Sequence, residues 1–125
     1  MILDTNAVSA LFVGDNNLAR VLSGSPRHQL PVIVLGEYRY GLKRSRHPKA
    51  LESLLDQLER ESDVLPIDAD TAAVYADVRD QLRRRGTPLP ENDVWIAALA
   101  LQYDQPIISQ DQHFDLVPRL RRLGW

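Results

Sequence analysis

The chain has no cysteine. Disulfides and thiolate-bound metal sites are therefore excluded, and with them the zinc-finger route to nucleic acid. It has no apolar run of transmembrane length. It has no basic stretch followed by an apolar one near Met1, so no secretory signal is visible and a cytoplasmic location without membrane contact is expected. A large excess of either charge is also missing: the net charge is −2. Such a chain does not hold nucleic acid by positive charge spread over its whole surface. Internal repeats, low-complexity tracts and long linkers are absent. The 125 residues therefore fit one domain, 1–125, with a real core.

The charges that are present are segregated. Arg39, Lys43, Arg44 and Arg46 form one basic cluster, Arg83, Arg84 and Arg85 a second, and Arg119, Arg121 and Arg122 a third. A solvated helix face or helix end accounts for each by itself. Such patches can also steer a phosphate backbone toward an acidic centre.

Short apolar segments alternate with amphipathic ones. Met1 to Leu3 reads as a short buried strand stopping at Asp4, with almost nothing before Ile2. Thr5-Asn6 can cap a short helix that Gly14 ends, and Asn16 and Asn17 precede a second short helix through Leu22, ended near Gly24, with Ser25-Pro26 a loop. The β-branched run Pro31 to Leu35, PVIVL, reads as a fully buried strand, followed by a helix bearing Glu37, Tyr38 and Gly41. An amphipathic helix follows Pro48, with Leu51, Leu54, Leu55 and Leu58 on one stripe. Val64, Leu65 and Ile67 suggest a strand. Asp68 or Asp70 caps the next helix, which Gly86 stops. Pro90 introduces a helix from about Glu91 to Tyr103, and Ile107-Ile108 is a last buried strand before Asp111. This alternation predicts an α/β fold, a central parallel sheet with helices on both faces.

Four carboxylates stand at the edges of these apolar elements: Asp4, Glu37, Asp93 and Asp111. Lone acids rarely stay beside buried segments without a partner. The carboxyl ends of parallel strands open onto the functional crevice, where Asp4 and Asp111 fall. Four acids gathered there would raise one another's pKa values, and an oxygen-rich cluster suits Mg²⁺ or Mn²⁺. Each acid also has an ordinary reading. Asp4 can cap a helix, Asp93 can serve the helix dipole, and Asp111 can turn the chain at a strand end. Glu37 is hardest to dismiss in this way. Thr5, Asn6 and Ser109 can orient first-layer carboxylates or simply cap. Glu91 and Asp115 read as surface acids. His28, His47 and His113 show no paired ligand spacing, so no zinc site is expected. Tyr38 and Trp95 read as packing residues.

The segments LDTNAVSAL, VLGEYRYGL, PENDVWIAALA and IISQDQHF together resemble a small PIN-domain ribonuclease of the VapC-like toxin type. They run nearly end to end, in a specific order. The resemblance implies a parallel sheet flanked by helices in three α/β/α layers, and a homodimer. It implies that Asp4, Glu37, Asp93 and Asp111 gather around Mg²⁺ or Mn²⁺, with Thr5 or Asn6 and Ser109 in support. It also implies hydrolysis of RNA to leave a 5′-phosphate and a 3′-hydroxyl, and control by a cognate antitoxin protein. Arg39 and Lys43 are candidate contacts to the RNA backbone. Two other readings stay open: an RNA-processing nuclease with no toxin role, and a nonenzymatic binding module. A receiver-like phosphatase would use Asp4 but leaves Glu37 and Asp93 without a role.

Overall fold

The computed structural model describes residues 1–25 and 27–125. Of the expected Ser25-Pro26 loop, Pro26 lies outside the described residues. Five short strands form one all-parallel sheet: β1 (Ile2–Leu3), β2 (Gln29–Pro31), β3 (Asp63–Leu65), β4 (Ile107–Ile108) and β5 (Arg122–Leu123), in the order β3-β2-β1-β4-β5. Between them run α1 (Thr5–Phe12), α2 (Asn16–Leu22), α3 (Val32–Leu42), α4 (Pro48–Glu61), α5 (Ala69–Arg85) and α6 (Glu91–Gln102), with a 3-10 turn at Gln112–Leu116. The expected three-layer α/β/α architecture stands.

The centre of the sheet is the most apolar part of the chain. Ile2, Leu3, Ile107 and Ile108 have no exposed surface, as befits parallel strands covered on both sides. Burying each contributes about 1.5–3 kcal/mol. β1 and β4 pair with Leu3 opposite Ile108. The next residues out of the sheet are therefore Asp4 and Ser109, side by side at the carboxyl edge. The strand order reverses at this point too: the chain builds β1, β2 and β3 outward in one direction, then crosses to β4 and β5 on the other side of β1. Such a switch point opens a crevice at the carboxyl ends of the strands.

Two sequence-based boundaries are corrected. The strand expected at Pro31 to Leu35 ends at Pro31, and Val32 begins α3. β-branching costs a helix only a few tenths of a kcal/mol per residue. Burying Val34, Leu35 and Leu42 along one side of a helix outweighs that. Glu37 sits on that helix, as expected, and the helix begins earlier than expected. The second correction concerns α2, which is capped by Asp15 and not by Asn16-Asn17. The Asp15 carboxylate accepts from the backbone N–H of Asn17 (2.8 Å) and Leu18 (3.1 Å). Other signals hold. Asp68 forms a reciprocal capping box with Thr71, and Gly86 ends α5 in the left-handed conformation at φ 69°. Ile67 lies beyond the end of β3. Trp95 of α6 stacks on Tyr75 of α5, ring centroids 3.8 Å apart, and the Thr71 hydroxyl donates to Gln102 Oε1 at 2.6 Å. These contacts help lock α5 against α6, which carries Asp93.

Candidate metal centre

Asp4 occupies the N-cap position of α1, yet its side chain caps nothing. It turns across to β4, where it accepts from Ser109 Oγ at 2.7 Å and from Asn6 Nδ2 at 3.2 Å. Asp4 and Ser109 are both buried. Ser109 Oγ also accepts from the Asp111 backbone N–H (3.0 Å) and from Asn6 Nδ2 (3.2 Å). Asn6 Oδ1 accepts from the Gln110 N–H at 3.1 Å. The start of α1 is thereby tied to the loop after β4, and Asp4 is held in one orientation. Burial pushes the Asp4 carboxyl above its ordinary pKa, against the pull of the Ser109 and Thr5 hydrogen bonds, and repulsion from Asp111 adds to the rise.

Asp93, in the first turn of α6, is pushed up to about 6, chiefly by burial and then by Asp4 and Asp111; His113 opposes the shift. Glu37 is also raised, by burial first and then by Asp4 and Asp93, with the Asn92 amide pulling the other way. Asp111 does cap the 3-10 turn, accepting from the His113 backbone N–H at 2.9 Å. That role does not remove it from the cluster: oxygens of Asp93 and Asp111 and a ring nitrogen of His113 lie within 4.8 Å of one another. Asp4, Asp93 and Asp111 therefore feel one another at the switch point, and Glu37 feels Asp4 and Asp93; of the four acids, only Asp93 and Asp111 belong to the close group with His113.

The negative charge is only weakly offset, by His113 and, at longer range, by Arg122. Among the described residues, no Lys or Arg comes within 4 Å of these four carboxylates. Glu37 Oε1 and Thr5 Oγ1 are buried with no hydrogen-bond partner. Orphaned buried oxygens are costly. A site of hard oxygen donors, with a surplus of negative charge and free lone pairs, fits a divalent cation of the Mg²⁺ or Mn²⁺ type.

The structure also sorts the remaining candidates. Asp115 is held by Arg122 through two contacts of 2.8 and 2.9 Å, which keep its pKa low; it is not part of the cluster. Glu91 accepts from the Tyr75 hydroxyl at 3.1 Å, on the α5 side. Arg39 differs from expectation. Its guanidinium bonds Asp56 and Glu59 of α4, both at 3.0 Å, so the charge proposed for an RNA phosphate is already neutralised. Lys43 is exposed at the C-terminal end of the same helix. His113 is the neighbour that sequence reasoning set aside. Its Nδ1 lies 3.1 Å from Asp111 Oδ1. The Asp111-x-His113 spacing over the first turn of a short helix was the available signal.

The PIN domain family model matches residues 1–120. Ribonuclease VapC5 of Mycobacterium tuberculosis is 35% identical over 85 residues, which are 66% of this chain and 63% of that protein. The chain thus matches somewhat less than two thirds of that relative's length. Ribonuclease VapC4 of the same organism is 33% identical over 89 residues, 70% of this chain and 68% of that protein. Among solved structures, VapBC-5 of M. tuberculosis, described as a member of the VapBC family of toxin–antitoxin systems, superposes with a TM-score of 0.75 at 28% identity. It covers 98% of this chain and 94% of that one. DNA-bound VapBC from Salmonella typhimurium reaches 0.90 at 24% identity, covering 99% and 96%, a likeness of fold.

Proposed function

The chain belongs to the PIN-domain family, and from that premise we propose that it is an endoribonuclease dependent on Mg²⁺ or Mn²⁺, the toxin of a toxin–antitoxin pair. The observation that carries this reading is the convergence of Asp4, Glu37, Asp93 and Asp111 at the switch point, with three of the four driven toward protonation by burial and mutual repulsion.

Asp4, Asp93 and Asp111 would hold the cation, with Glu37 completing the site. When bound, the cation neutralises charge developing on the scissile phosphate and acidifies water at neutral pH. The protein's own groups do the rest. Ser109 and Asn6 fix the Asp4 carboxylate, so that orientation is settled before substrate arrives. His113 braces Asp111. Glu37, whose Oε1 is buried without a partner, would help to hold the cation or orient its water. Water adds to phosphorus, the bond from phosphorus to O3′ breaks, and a 5′-phosphate and a 3′-hydroxyl result. Lys43 is the better candidate for a backbone contact, since Arg39 is paired.

The proposed partners are RNA, a cognate antitoxin and a second copy of the chain. An antitoxin side chain bearing a guanidinium suits the acidic cluster. The test compares the parent with Asp4→Asn and Asp93→Asn on RNA with Mg²⁺ or Mn²⁺. Cleavage by the parent and loss in both variants is expected; equal cleavage by all three would sink these assignments. Co-purification from the native operon should recover a small second protein, and recovery of this chain alone would count against an antitoxin.

A further inference from the structure

Beside the acidic cluster lies an open cavity of about 240 Å³. Its walls are Thr5 and Ser9 of α1, Glu37, Tyr38 and Gly41 of α3, and Leu51 of α4. Two of these residues belong to or adjoin the centre: Glu37 itself, and Thr5, the chain neighbour of Asp4. The cavity is smaller than the roughly 300–1,000 Å³ of sites for drug-sized ligands, and it suits one flat ring system. Tyr38 supplies an aromatic wall, fixed by edge-on contact with Phe12 at 5.4 Å and 87°. Leu51 adds apolar lining. Polar groups converge as well. The Ser9 and Tyr38 hydroxyls make only a long contact of 3.4 Å, and the Thr5 hydroxyl is buried with no partner at all. A ring with donors and acceptors on its edge can pair with the Ser9 and Tyr38 hydroxyls, which an apolar side chain could not. At Gly41 an added Cβ would meet nothing within 4 Å.

We propose that this cavity is a nucleobase pocket, which receives the base of a nucleotide flanking the scissile phosphate and sets the base preference of cleavage. The inference rests on the proposed ribonuclease reading. A single-stranded segment can unstack and present such a base to an aromatic wall and hydroxyl readers. Base-to-aromatic stacking is worth about 5- to 150-fold in affinity.

The experiment uses the full chain and a single-stranded oligoribonucleotide spanning a cut mapped by sequencing RNA ends. Gly41→Leu puts a branched side chain at the cavity. Substrates carry either the natural base or an abasic sugar on each side of the cut. The parent should lose about tenfold in kcat/KM on one abasic substrate. Gly41→Leu should show the same loss on the natural substrate, chiefly in KM, and no further loss on the abasic one. Its Mn²⁺ affinity by calorimetry should match the parent. Tyr38→Phe, which keeps the ring, should change the ranking of the four bases while circular dichroism stays the same. Unchanged KM and base ranking in both Gly41→Leu and Tyr38→Phe would overturn the pocket while leaving the nuclease in place. Weaker capture of a co-purified protein partner with unchanged cleavage would also overturn it, by making the cavity a protein contact. Failure of the parent to cut any RNA with Mg²⁺ or Mn²⁺ would bring down the ribonuclease reading and the pocket with it.

Discussion

Replacing Asp93 with Asn should stabilise the metal-free protein while disabling it. Asp93 sits at about 6 in the folded chain against an ordinary 3.8. The folded state therefore binds a proton more tightly than the unfolded one, and stability contributed at this position falls as pH rises from about 4 to about 6. Above that window the ionised carboxylate is a net cost. The full shift corresponds to about 3 kcal/mol. Asp93 is only partly buried, and solvent screening reduces this to about 1–2 kcal/mol. Asn keeps the shape and removes the charge, relieving Asp4, Asp111 and Glu37 together. For a domain of this size, the melting temperature in chelator should rise by about 3–8 °C at pH 7.5. The gain should shrink to about half near pH 5 and nearly vanish by pH 4. Thermal denaturation across pH 4–8, parent against Asp93→Asn, measures this directly. A variant that melts at or below the parent at pH 7.5, or a gain that ignores pH, would refute the picture of a cluster under electrostatic strain.

Adding a saturating divalent cation should reverse the ranking. At 100 times its dissociation constant a ligand stabilises by about 2.7 kcal/mol, so the parent should melt higher with Mn²⁺ than in chelator, and Asp93→Asn should barely respond. Ser109→Ala removes the 2.7 Å bond to Asp4; about 1–3 kcal/mol of stability and about 10- to 100-fold in Mn²⁺ affinity should be lost, read by denaturation and calorimetry. Arg39 and Lys43 should separate cleanly. Arg39→Ala breaks the bridge to Asp56 and Glu59 and should lower the melting temperature by about 1 kcal/mol's worth with KM unchanged, whereas Lys43→Ala should raise KM, flatten the salt dependence of RNA binding by about one charge, and leave melting alone.

Much of the candidate centre was legible because its acids border apolar runs. Asp4 directly follows a buried strand and Asp93 lies in the first turn of an apolar helix; a cap or a helix dipole could explain either alone, and it was their joint placement that singled them out. The element boundaries around Glu37 were less legible. A β-branched run reads as a strand until the packing of Val34, Leu35 and Leu42 is known, and that packing is a tertiary fact. The pairing of Arg39 was hidden for a similar reason: its partners are 17 and 20 residues away, on a helix whose orientation no local pattern specifies. His113 was discounted for lack of a second histidine, although its partner Asp111 stood two residues before it. The capping of α2 turned on one residue, since Asp15 outcompetes Asn16 once Gly14 closes the preceding helix.

The pairing of Leu3 with Ile108 also sets a clock. The bond from Ser109 to Asp4 closes a loop of 105 residues, and pairings so distant along the chain form late. A chain folded only as far as α6 carries Asp4, Glu37 and Asp93 with Asn6, among the described residues, as the one side-chain contact to Asp4; the stronger contact, from Ser109, waits until β4 has paired with β1.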